Sequence, residues 1–201
     1  IKEIIKRNGE HNIMQRFKLS QQTLHPDILK NINRENMMID EYFDLGHYAK
    51  DTFGHTILVE LIMGLPGATV ENFYHEFDKI YEHGFCARVY DWALLVGSKG
   101  YEQSYRKKFK IGTAKKQSYT EIIEIVVETY SYTRKDYMEM ITAFSAYMFF
   151  IYGGVYSNSI TQVLLRNNYS IGDFLFAFRN ECYPLLEEVT PEIFEAFTKS
   201  K

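Results

Sequence analysis

Apolar and polar positions alternate from Ile13 to Leu19 in "IMQRFKLSQQT", with Phe17 and Leu19 on one face, which predicts a strand ending in polar Ser20-Gln21-Gln22. Before it, Ile1, Ile4 and Ile5 in "IKEIIKRN" have helical spacing, and Gly9 is placed to stop that helix. After it, Pro26 opens "PDILKNINREN" as a helix with proline in its first turn. A longer helix, "MIDEYFDLGHYAKDTF", follows with Asp40 and Glu41 at its positive end. "HTILVELIMG" predicts a second strand, and "ATVENFYHEFDKIYEHG" a helix with Thr69 as N-cap and Gly84 as its stop. "CARVYDWALLVG" predicts a third strand. Strand and helix thus alternate with short loops, the pattern of parallel strands covered by right-handed helical crossovers.

From about residue 115 the spacing reads as helical throughout, across "EIIEIVVETY", "MEMITAFSAYMFF", "SITQVLLRN" and "IGDFLFAFRN". Ser118 with Glu121, Thr133 with Asp136, and Ser170 with Asp173 each set a cap and an acid three apart, and Thr190-Pro191 offers another start. The expected organisation is an α/β unit over 1–114 and a helical bundle over 115–201, divided within "KIGTAKKQS".

Composition adds exclusions. The chain has 201 residues, 46% hydrophobic and 24% charged, enough for a packed core. A net charge of −3 gives no global attraction to nucleic acid or to an anionic membrane surface. Two cysteines, Cys86 and Cys182, make neither a disulfide framework nor a thiolate cluster, and they fit a reducing cytoplasm. The most apolar stretch, "MITAFSAYMFFIYGG", falls short of the roughly 20 residues of a membrane span and predicts a buried helix. Tyrosine and phenylalanine number 16 and 15, so many phenol hydroxyls must find partners at a surface or pocket wall.

In parallel α/β folds ligands meet the carboxyl ends of the strands. All three strand ends here carry polar groups: Ser20 to Thr23, Glu60 ahead of Gly64-Leu65-Pro66-Gly67, and Asp91 to Ala93 ahead of Gly97-Ser98. Glu60 is the oddity, because an acid in an apolar strand is costly unless it is paired. It either binds a ligand at the rim or satisfies a neighbouring helix cap. The Gly-Leu-Pro-Gly corner does not have phosphate-loop spacing and is equally a plain turn. Arg34 suits a helix C-terminus whether or not it touches a ligand. His83-x-x-Cys86 is no metal site without a second ligand pair, and no nucleophile elbow or Cys-His pattern occurs. The residues alone identify no catalytic group and no metal ligands.

Taken together, "LSQQTLHPDILKNINREN", "VELIMGLPGATVENF" and "RVYDWALLVGSKGYEQSYRKKFKI" resemble the second half of a radical S-adenosylmethionine barrel. The nearest subgroup carries an N-terminal cobalamin-binding domain and includes many methyltransferases. The tail "YMFFIYGGVYSNSITQVLLRNNYSIGDFLFAF" resembles the bundle that follows the barrel there. The resemblance implies S-adenosylmethionine contacts at particular positions. Glu60 and Gln22 would bond the ribose hydroxyls, with Ser20 beside them, and Arg34 would reach the methionine carboxylate through its guanidinium fork. Ala93 would meet the adenine through its backbone, and Gly64 would complete the set at the head of its turn.

Two departures matter. Ala68 stands where the family has an acid after Gly-Leu-Pro-Gly, and the cysteine triplet that binds a [4Fe–4S] cluster is absent. The resemblance therefore implies a partial barrel half of three strands followed by a bundle, with cluster and cobalamin bound in a preceding half of the same protein. Such a piece would be inactive alone. The parent would act on a small-molecule or peptide substrate, with no nucleic acid or membrane partner. Strand 13–19 would offer an open edge to another copy. A different class of reading, a non-catalytic module that binds a partner through its aromatic-rich bundle, fits the same residues.

Overall fold

The computed structural model describes residues 1–11, 16–117, 121–153 and 157–189. Three parallel strands, β1 (Arg16–Gln22), β2 (Thr56–Met63) and β3 (Cys86–Asp91), form a sheet in the order β1-β2-β3. Helices α2 (Pro26–Asn31) and α3 (Ile39–Phe53) connect the first pair, and α4 (Val70–Glu82) connects the second. The Thr69 side chain accepts from the Asn72 N–H at 3.1 Å, the cap that the sequence predicts for α4. Gly84 ends α4 at φ +65°. Gly9 does not stop the first helix. It lies inside α1 (Lys2–Glu10), where the Phe53 ring of α3 occupies the space a Cβ would need.

Alternation divides the sheet into two faces. Ile57, Val59, Leu61 and Met63 of β2 are buried in the main core with Phe43 and Ala49 of α3 and Phe73, Phe77 and Ile80 of α4. Glu60 therefore points to the other face. Its row across the sheet is Ser20, Glu60, Arg88.

The third strand is shorter than the apolar run "CARVYDWALLVG" implies. It leaves the sheet after Asp91, and Ala93 forms an antiparallel bridge with Ile125 instead. Beyond α5 (Gln103–Phe109) the chain makes a hairpin of β4 (Gly112–Gln117) and β5 (Ile122–Glu128). This corrects the helical reading of "EIIEIVVETY". Five β-branched residues, Ile122, Ile123, Ile125, Val126 and Val127, favour a strand, and the last three are buried on it. The expected Ser118 cap lies outside the described residues.

Helices then follow: α6 (Arg134–Tyr147), a π-helical turn (Met148–Tyr152), α7 (Ser157–Arg166) and α8 (Ile171–Val189). Thr133 and Asp136 form the reciprocal capping box at α6. Ser170 and Asp173 exchange bonds of 3.0 and 2.9 Å at α8. The expected start at Thr190-Pro191 lies outside the described residues. Both α6 and α8 pack on α4 and on each other, so one apolar core runs from the sheet into the helices. Within the described residues no helix is long and apolar enough to cross a membrane.

Candidate cosubstrate site at the strand ends

Glu60 is a paired acid on a polar sheet face. One carboxylate oxygen accepts from the Ser20 hydroxyl at 2.6 Å. The other accepts from the Tyr90 hydroxyl at 3.3 Å and faces the Lys18 ammonium at 3.3 Å. Burial alone would raise its pKa, but the Ser20, Lys18 and Tyr90 contacts outweigh it and hold the carboxyl below its usual range. A carboxylate offers about four acceptor positions, so these three partners leave room for one more donor. Lys18 and Tyr90 are partners that composition and spacing did not single out. Their signal is positional, since residues two apart on neighbouring strands share a face.

Gln22 ends β1 in the left-handed region at φ 64°, where the register with β2 slips by one residue. Its amide N–H bonds back to the Ser20 carbonyl at 2.8 Å. The side-chain oxygens of both Gln21 and Gln22 are buried with no hydrogen-bond partner. Two orphaned acceptors beside a strand end are costly, and donors from a ligand would satisfy them.

A buried acid holds this end of β1. Glu76 of α4 accepts from the Thr23 hydroxyl at 2.6 Å and from the Leu24 N–H at 2.7 Å. Thr23 Oγ1 accepts in turn from the His25 N–H at 3.2 Å. Burial pushes the Glu76 carboxyl up to about 7, against the pull of those two bonds.

Arg34 lies in the loop past α2, not in the helix, and is exposed. Its Nε donates to Asn36 at 3.0 Å, and the Asn36 amide donates to the Gln21 carbonyl at 2.7 Å. The guanidinium is therefore tethered to the end of β1 through Asn36. At Ala93 the pairing with β5 runs through its neighbours: Leu94 N–H donates to Glu124 and Val126 N–H to the Trp92 carbonyl. That pattern turns the N–H and C=O of Ala93 away from β5.

Gly64 has φ +99°, and its carbonyl accepts from the Tyr132 hydroxyl at 2.8 Å. A Cβ there would lie 3.0 Å from the Val126 carbonyl oxygen. The corner thus seats the β5–α6 connection against the sheet, with Gly67 N–H donating to the Ser131 hydroxyl at 2.9 Å. Ser20 and Glu60 bond across adjoining strands and Gln22 bonds the Ser20 carbonyl, while the contacts of Arg34, Ala93 and Gly64 go to other partners.

No protein-family model matches the chain. Among curated proteins it is 28% identical over 167 residues to the cobalamin-dependent radical SAM methyltransferase TokK of Streptomyces tokunonensis. The alignment covers 77% of this chain and 24% of that protein, so the chain spans about a quarter of its relative's length. The similarity is distant, and it concerns a protein of the class whose motifs "LSQQT" and "VELIMGLPG" resemble.

A [4Fe–4S] cluster does not fit the residues present. It needs more thiolates than two cysteines supply, and no group of three or more His, Cys, Asp or Glu among the described residues is placed to hold a metal ion. The acceptor groups here match the donors of an adenosylated cosubstrate in chemistry. The orphaned glutamine oxygens are acceptors for its hydroxyl or ammonium donors, and Glu60 retains an acceptor position for a sugar hydroxyl.

Proposed function

We propose that this chain supplies the cosubstrate-binding half of a radical S-adenosylmethionine enzyme, a cobalamin-dependent methyltransferase. In this reading the parallel sheet is half of a partial barrel, the helices after β5 are the bundle that follows it, and cluster and cobalamin belong to a preceding half. The chemistry those groups supply is generation of a radical and transfer of a methyl group. The chain's own residues bind and orient. Glu60 and Gln22, with Ser20, hold the ribose, the Ala93 backbone meets the adenine, Arg34 takes the methionine carboxylate, and Gly64 shapes the corner. The observation that carries the reading is the buried, unpartnered pair of glutamine oxygens at the end of β1, beside an ionised carboxylate.

Titration calorimetry with S-adenosylhomocysteine tests it. The chain is expected to bind, with Glu60→Ala and Gln22→Ala each weakening affinity by about tenfold or more, as expected for the loss of a hydrogen bond to a charged or buried group. Binding unchanged in both variants would sink the assignment. Absence of binding even in a polypeptide extended to include a cluster motif would favour a non-catalytic interaction module. The outer edge of β1 belongs to the same reading, as the place where a preceding strand would add. Copies of the 201-residue chain are expected to pair there, which sedimentation equilibrium would register as a concentration-dependent dimer.

A further inference from the structure

A cavity of about 560 Å³ lies along the outer edge of β3 and is walled by α6 and the π-helical turn. We propose that it is a binding site for a small apolar molecule carrying a carboxylate, adjoining the Glu60 cluster through Arg88 and Tyr90.

The apolar wall has helical order. Ile141, Phe144, Met148 and Tyr152 recur at intervals of three and four, which puts them on one face. All four are half-buried, unlike Met140, Ala143 and Tyr147 of the same helix, which fill the core. The turn over Met148–Tyr152 closes with the Gly153 N–H donating to the Met148 carbonyl. Such π-turns cost helix stability and concentrate at functional sites.

The polar side is cationic. Arg16, Arg88 and Lys116 line the cavity, against the single acid Asp91. Asp91 is engaged by Lys116 and by the Tyr137 hydroxyl, which leaves the two arginines as the surplus charge of the cavity wall. Among the described residues neither Arg16 nor Arg88 has an ion-pair partner. The Arg88 guanidinium lies over the Tyr90 ring at 5.3 Å, a cation–π contact that leaves its positive charge without a carboxylate partner.

The strand adds donors. Ala87 N–H points away from β2, because it donates to the Tyr147 hydroxyl at 2.9 Å, whereas Trp92 N–H donates to Met63 of β2 at 3.0 Å. In a parallel ladder alternate residues share a direction, so the N–H and C=O of Val89, which lines the cavity, also point outward. A fork, a second guanidinium and an outward backbone N–H beside an apolar wall suit a carboxylate on an apolar body.

Paired fluorescent probes test the assignment. 8-Anilinonaphthalene-1-sulfonate is an anion, and N-phenyl-1-naphthylamine is a close neutral counterpart. The chain is expected to bind the anion, and Arg16→Gln with Arg88→Gln should weaken it about tenfold or more while leaving the neutral probe within about twofold. Phe144→Ala should weaken both. Both arginines are exposed, so the double variant should keep the wild-type thermal midpoint and remain a fair comparison. Anion affinity unchanged in the double variant, or an equal loss for both probes, would overturn the proposal.

Discussion

Glu76→Leu is expected to destabilise the chain by about 2–4 kcal/mol at any pH near neutrality, because the Thr23 hydroxyl and Leu24 N–H would both be buried without an acceptor. Glu76→Gln behaves differently, since an amide oxygen can accept both bonds. The contrast with wild type should appear in the pH profile. The folded-state carboxyl sits at about 7, above its ordinary value of 4.5. Between those values the folded chain keeps a proton that the unfolded chain releases, so stability is greatest below about pH 4.5 and declines as pH rises through 7. The ceiling on that loss is about 3 kcal/mol. Urea unfolding at pH 5 and pH 8 should show the decline in wild type and its absence in Glu76→Gln. His25 and His83, both held below the ordinary histidine value chiefly by burial, titrate in the opposite sense and are common to both proteins. Equal slopes for wild type and Glu76→Gln would show that this carboxyl is ionised in the fold at neutral pH.

Gly64→Ala should cost about 2–3 kcal/mol. Part is the left-handed backbone at φ +99°, which a Cβ disfavours, and part is contact at 3.0 Å with the Val126 carbonyl oxygen. That oxygen belongs to a paired strand and cannot retreat easily. Gly67→Ala provides the comparison. Its φ is +101°, but the nearest atom, at 2.8 Å, is a side-chain nitrogen of Asn31, which can rotate aside. Urea midpoints that rank Gly67→Ala as the more damaging substitution would contradict a tight β5 seat on the corner.

The parallel sheet was legible because its signals are local. Alternation, the Thr69 cap and Gly84 all act within a few residues of the structure they specify. The hairpin is less legible because "EIIEIVVE" fits both periods, and only the cost of packing so many β-branched side chains on a helix favours the strand. Glu60 was legible as an anomaly but not as a paired group. Lys18 and Tyr90 reach it only through strand register, which no single segment encodes. The role of Glu76 is illegible for the same reason: its partners lie 53 and 52 positions away. The apolar stretch read as a buried helix is only partly so. Tyr147 is in the core, whereas Phe149 is 65% exposed beyond the start of the π-turn.

The hydroxyl that meets the Ala87 N–H is supplied 60 positions later, by Tyr147. During synthesis β3 emerges well before its lateral cover. For that interval the nascent polypeptide carries a naked strand margin, and a chaperone or premature self-association would find it there.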